Sequence, residues 1–368
     1  MPKTKGHTKA EPQKGWLARQ FSQRPLPAWI VLIAHALALG VLLLLYALPH
    51  HVLPRVEQGL GIQSDRSSVR VEAVATPEAT PEAVAAAPAP ADDAEAPSEP
   101  TPEPTPEPVG SFRGKFADKF TDGEVISTSK SYKSANINVT FRQEYIDELL
   151  SRVYLVDIYV ADISCLRTAF AEDKFGRGNK EWITKLAKRK KSIATLNGDY
   201  YGSRGIGVVV RNGTLYRDVK NTRDVAVLYW DGRFETIPVD EFNAMEVMQN
   251  GAYQCWHFGP RLLDDNGHAM TEFNADYGII KRQPRSAFGY FEPGHYCFVV
   301  VDGRHQESRG VKIVDLSALM ERLGCVAAYN LDGGQTSLLA KADKLINRPS
   351  GGGKSSSDYI IVVDEIQR

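Results

Sequence analysis

An uncharged run from Ala28 to Leu48 sets the first limit on what this chain can become. About 20 apolar residues in a helix rise roughly 30 Å, the thickness of a bilayer's hydrocarbon core. Its main polar interruption is His35, which is uncharged when neutral. Trp29 and Tyr46 stand near the two ends, where amphipathic rings favour the headgroup region. Lys3, Lys5, Lys9, Lys14, Arg19 and Arg24 precede the run against the single acid Glu11, whereas Arg55 is the one fixed positive charge soon after it. Under the positive-inside rule this asymmetry predicts a cytoplasmic basic tail over residues 1–27, a transmembrane signal anchor over 28–48 and an extracellular remainder. A cleaved signal peptide would have a shorter apolar core and a small-residue cleavage site. Here the run closes on Leu45-Tyr46-Ala47-Leu48-Pro49-His50, a poor cleavage site, so the anchor is expected to stay.

Residues 49–110 read as a disordered linker rich in Pro, Ala and Glu. The stretch from about Glu72 to Pro108 has almost nothing apolar to bury, so it does not offset its own ordering entropy. Repeated proline and like-charged glutamates keep such a chain extended, as a stalk or a plain tether. Residues 111–368 are left for one well-buried domain. The formal net charge of −1 gives no pull toward nucleic acid, and the apolar run makes a lipid bilayer an expected partner, through one helix.

Within the domain, Tyr154 to Val160 is rich in strand formers, and Asn179 to Lys191 has helical spacing with Asn179 as its expected N-cap. Ser192 to Leu196 reads as a short strand. Asn212-Gly213 and Asp231-Gly232 each join two strand-like runs as hairpin turns. A strand over Tyr296–Val301, a helix over Asp315–Leu323 capped by Gly324, and strands over Val326–Tyr329 and Tyr359–Val363 follow. Hairpins with a few helices predict an α/β (α+β) fold: a single domain around a mixed, largely antiparallel sheet with flanking helices.

Two loops repeat one pattern, a strand followed by Asn and closely spaced Gly and Asp. The first is Leu196-Asn197-Gly198-Asp199-Tyr200-Tyr201, the second Asn330-Leu331-Asp332-Gly333-Gly334-Gln335-Thr336-Ser337. Glycine after a strand lets the backbone turn sharply and come close to a ligand, although either loop alone is equally a plain tight turn. Between them, Arg285 in Pro284-Arg285-Ser286-Ala287-Phe288-Gly289 and Arg309 in Ser308-Arg309-Gly310 sit in small or apolar surroundings. A guanidinium there suits bidentate phosphate binding, or pairs with a core carboxylate such as Asp302 or Asp332.

Taken in order with Val301-Asp302-Gly303-Arg304, these motifs resemble the phosphodiester glycosidase family, from about Ala194 to the C-terminus. The family includes the catalytic domain of the lysosomal uncovering enzyme, which removes N-acetylglucosamine from the phosphate of a mannose 6-phosphate diester. Bacterial relatives are often labelled exopolysaccharide biosynthesis proteins. Two departures stand out, Gly198-Asp199 where Gly-Gly is common and Gln335-Thr336-Ser337 where the family often continues Gly-Ser-Ser.

The resemblance implies a membrane-anchored glycosidase that hydrolyses a sugar-1-phosphodiester bond. Asp332 is the expected catalytic carboxylate, with Asp302 or Asp199 as its partner, and Arg285 and Arg309 as the phosphate clamp. Asn197, Gly198, Asp199, Gly310, Asn330, Gly333, Gly334 and Ser337 are expected to line the substrate site. Rival readings are a non-catalytic glycan-binding domain and an enzyme that transfers the sugar to an acceptor other than water. No HExxH, Cys-x-x-Cys, nucleophile elbow or P-loop occurs, so no cofactor and no metal site is expected, a divalent cation being left open. His257 reads as a packed histidine rather than an acid or ligand. Cys165, Cys255, Cys297 and Cys325 allow one or two disulfides or free core thiols.

Overall fold

The computed structural model describes residues 27–48, 54–69 and 108–367. The basic tail and most of the Pro/Ala/Glu stretch lie outside the described residues. Ala28–Ala47 is a helix with no buried residue, long and apolar enough to cross a membrane. The chain divides after Leu53, and Pro54–Arg368 forms the second compact unit.

That unit holds three sheets, and every pairing between described strands is antiparallel. The expected fold class is borne out, with the sheet divided in three. The largest runs Ala327–Asn330, Arg285–Glu292, His295–Val301, Ser151–Val160, Ile137–Ile146, Ser131–Lys133, Ile126–Ser127. A second centres on Ala252–Trp256 and Val225–Tyr229, and the third places Ala194–Asn197 between Leu339–Lys341 and Asp358–Val362. Apolar side chains from all three meet in one core, with Val156, Phe288 and Phe298 from the first, Trp256 and Leu228 from the second, Leu196 and Ile360 from the third. The hairpin at Asn212-Gly213 turns with both residues at positive φ, 51° and 80°, the geometry that dipeptide favours.

Residues 54–69, expected as linker, instead lie along the domain. Ile62–Gln63 adds an edge strand to Thr214–Arg217, and the Glu57 and Arg55 amides donate to the Phe175 and Arg177 carbonyls. Asn179 does not cap a helix. The helix starts at Ile183, and the Asn179 amide donates to the Arg55 carbonyl, 2.9 Å away. Tertiary contact has taken a side chain whose local sequence suited a cap. Arg66 pairs with Asp162 and also donates to the Val109 carbonyl at 2.7 Å. One side chain therefore fastens the chain just before and just after the Pro/Ala/Glu stretch.

Candidate active site

The two Asn-Gly-Asp loops leave neighbouring strand ends, Ala194–Asn197 and Ala327–Asn330, and are tied to each other by one buried side chain. Asn197 donates from Nδ2 to the Asp332 carbonyl at 2.7 Å. Its Oδ1 accepts from Ser286 Oγ at 2.7 Å and from the Leu338 amide at 3.1 Å. A fully buried amide is costly unless bonded, and here its carbonyl and its NH2 both have partners. Asn197 thus joins both loops to the strand Arg285–Glu292 from beneath the site and does not face a ligand.

Gly198 must be glycine, because a Cβ there would run into the Asp358 carboxylate. Beside it, Arg211 is buried between two acids, 2.9 Å from Asp199 and 2.8 Å from Asp358. Asp199 also accepts the Tyr201 amide at 3.1 Å and the His257 amide at 2.9 Å. Its carboxylate is therefore committed to holding the first loop. His257 is packed as expected: its Nε2 accepts the Thr222 amide at 3.0 Å, and burial brings its pKa down to about 4.

Of the expected catalytic group, Asp332 lines a cavity of about 330 Å³ that Asp302, Arg285 and Arg309 do not line. Its Oδ2 accepts from Thr336 Oγ1 at 2.6 Å. Burial pushes its pKa up to about 6, against the Thr336 and Gly333 hydrogen bonds and the Arg204 charge, which lower it. Gly333 and Gly334 line the same cavity. Asn330 and Ser337 are fully buried beside it, and Asn330 donates to the Gly259 carbonyl at 2.7 Å.

Three other expected residues are engaged elsewhere. Asp302 accepts from Asn347 Nδ2 at 2.8 Å and from the Arg348 amide at 3.0 Å, fastening the segment behind the second loop. Arg285 is buried and donates to the Ile279, Lys281 and Val311 carbonyls. With no carboxylate on its fork, burial lowers its pKa to about 10. It shapes the cavity wall formed by Gly278 and Ile279 and does not reach into the cavity. Arg309 is exposed, outside the cavity lining, and Gly310 packs at positive φ against the Gln283 carbonyl.

The cations that do line the cavity are Arg204, Arg223, Arg304 and Lys354. Arg204 lies over the rings of Tyr200 and Phe258, 5.3 and 5.9 Å from their centroids. Arg223 pairs with Asp276 and donates to the Phe258 carbonyl at 3.1 Å. Arg304 is held by Gln283 at 2.7 Å and borders Gly334, whose missing side chain leaves the guanidinium room. Tyr200 and Arg304 both adopt left-handed backbone, φ 72° and 63°, uncommon for side chains of this size and a form of strain that clusters at ligand sites. Arg304 was legible as the last residue of the motif Val301-Asp302-Gly303-Arg304. Arg204 follows the first loop by three residues without a motif of its own, and Arg223 and Lys354 carry no local signal.

The cysteines are free and buried, with the Cys297 and Cys325 sulfurs 3.8 Å apart. Among the described residues no group of three or more His, Cys, Asp or Glu side chains is placed to hold a metal.

The fold and this site define an antiparallel α+β domain with one buried carboxylate facing arginines from several loops. Residues 190–363 match the family described as phosphodiester glycosidase, a family of hydrolases, and the resemblance read from the loops is borne out over this segment. A SPbeta prophage-derived uncharacterized protein, YomE of Bacillus subtilis (strain 168), is 30% identical over 184 residues, 48% of this chain and 29% of its own length. The chain thus spans under a third of that relative. The solved catalytic domain of zebrafish N-acetylglucosamine-1-phosphodiester alpha-N-acetylglucosaminidase has a TM-score of 0.49 and 18% identity, covering 66% of this chain and 88% of that one. A hypothetical protein from Synechocystis has a TM-score of 0.48 and 13% identity, covering 62% of each chain.

Proposed function

We propose that this domain hydrolyses a glycosyl-1-phosphodiester, with Asp332 as the catalytic carboxylate. The observation that carries the reading is the pairing, in one cavity, of a buried carboxylate with arginines that have no acid of their own. Arg204 and Arg304 face the cavity with no carboxylate within ion-pairing distance among the described residues.

Cleavage of the C1–O bond leaves positive charge on the sugar and negative charge on the departing phosphate. Arg204 and Arg304 take the phosphate charge, so no second carboxylic acid is needed to protonate the leaving oxygen. Asp332 stands where the cationic sugar or an attacking water needs an anion. Arg223, already paired with Asp276, orients the wall. Asp199, Asp302, Asn197 and Arg285 act as positioning residues beneath these groups. The helix Ala28–Ala47 serves as the membrane anchor, with the N-terminus cytoplasmic and the domain outside, where envelope glycans or exopolysaccharide supply such diesters.

The test is release of free sugar from an N-acetylglucosaminyl phosphodiester by the full chain in detergent. Asp332→Asn lowers turnover by about 10²–10⁴-fold, the range for loss of an acid–base group. Turnover by Asp332→Asn near the wild-type rate would remove the assignment. Binding without release by the wild-type protein would favour the glycan-binding alternative.

A further inference from the structure

A second cavity, of about 550 Å³, opens between the strands Ile137–Ile146 and Leu339–Lys341. Lys130, Arg142 and Lys341 line it together with Ser129, Gln143 and Tyr154, and no acidic side chain does. Three cations in one concave surface repel each other unless an anion sits among them.

Lys341 makes the case sharper. Lys341 is partly buried, its ammonium over the Phe141 ring at 5.0 Å and bonded to the Thr128 carbonyl and, at 3.4 Å, to the Ser131 carbonyl. Burial alone shifts its pKa, downward, and no carboxylate offsets the shift. A partly desolvated charge is expensive without a counter-charge, and no carboxylate among the described residues pairs with this one.

The cavity also touches the catalytic machinery from behind. Tyr154 lines it and lies against Asp302. Asp302 holds Asn347, which donates to the carbonyl of Ser337 in the second loop at 2.9 Å. A ligand in the cavity would therefore rest on the layer that supports the loop carrying Asp332.

We infer that this cavity is a binding site for an anionic oligosaccharide, separate from the Asp332 pocket. The volume exceeds what a single inorganic anion fills. The polar lining of Ser129 and Gln143 offers hydroxyl and amide partners to a sugar, while the three cations take its charge. The site needs no turnover, so it stands whether or not the domain is a hydrolase.

The experiment is calorimetric titration of the full chain in detergent with tetragalacturonate, a neutral tetrasaccharide of galactose and inorganic phosphate. Tetragalacturonate should bind, more weakly as salt rises. Lys341→Ala and Arg142→Ala should each weaken it about three- to tenfold, the scale of one charged contact. Both variants should turn over a small glycosyl phosphodiester as the wild type does. Arg142 is exposed, so its variant keeps the test clear if Lys341→Ala fails to fold. Absence of tetragalacturonate binding, or equal binding by both variants, would overturn the inference. So would equal affinity for the neutral sugar or for phosphate alone.

Discussion

Replacing Arg211 by methionine tests whether Asp199 belongs to the scaffold or to the substrate. Methionine keeps the unbranched apolar stem and removes the guanidinium with its charge, leaving Asp199 and Asp358 without their shared partner in the interior. Breaking a buried ion pair by removing one partner costs about 3–5 kcal/mol. At about 2 °C per kcal/mol for a domain this large, the melting temperature should fall by about 6–10 °C. The loss should also depend on pH in one direction. Burial already raises the Asp358 pKa, with Arg211 opposing the rise. Without Arg211 the Asp358 carboxyl titrates still higher in the folded state than its unfolded value of about 3.9. A raised folded pKa means the native state holds protons that the unfolded chain releases. The protonated pair is tolerated at low pH, and stability drains away as pH rises through the folded pKa. Wild type and Arg211→Met should thus differ more at pH 8 than at pH 5, by about 1.4 kcal/mol per unit of added shift. Thermal unfolding of the full chain in detergent, followed by circular dichroism at both pH values, measures this. A variant within about 1 °C of wild type at pH 8, or an equal gap at the two pH values, would refute the buried-network account.

The pH–rate profile should show an acid limb near pH 6, because burial holds the Asp332 carboxyl at about 6 and its ionised form does the work; a limb near 4 would move the role elsewhere. Arg304→Ala should lower kcat/KM by about 10²–10³-fold, the range for one oxyanion donor, whereas Arg309→Ala should stay close to wild type. Replacing residues 70–107 by a short Gly-Ser linker should leave the melting temperature nearly unchanged, since Arg66 fastens both flanks. Arg66→Ala should cost about 1–3 kcal/mol by exposing the Val109 carbonyl and leaving buried Asp162 without its charged partner. Equal melting temperatures for the two would show that residues 54–69 are not part of the fold.

Signals carried by short segments were legible. The hairpin at Asn212-Gly213 needs two residues that tolerate positive φ, and that dipeptide supplies them whatever surrounds it. The helix Ala28–Ala47 follows from a long uncharged run that is apolar apart from His35. Asp332 was legible because its loop repeats the strand-Asn-Gly-Asp pattern beside glycines. The strand Arg285–Glu292 was read only as a motif, because buried on both sides it shows no alternation. Ile62–Gln63 was hidden inside a segment whose later composition denies a core.

Chemistry of residue type and local conformation was determined by the sequence alone: which side chains bear charge, where turns fall, which loops share a grammar. Which charges meet was decided only by the tertiary structure. Arg285 and Arg304 look alike in sequence, each beside a glycine-containing motif. One is buried among carbonyls and shapes a wall, while the other lines the cavity, held by Gln283. Asp199 and Asp332 sit in matching loops, yet Arg211, arriving from another strand, commits the first and leaves the second with a hydroxyl. Partners distant in the chain set the electrostatic environment of each group, and no local pattern encodes that environment.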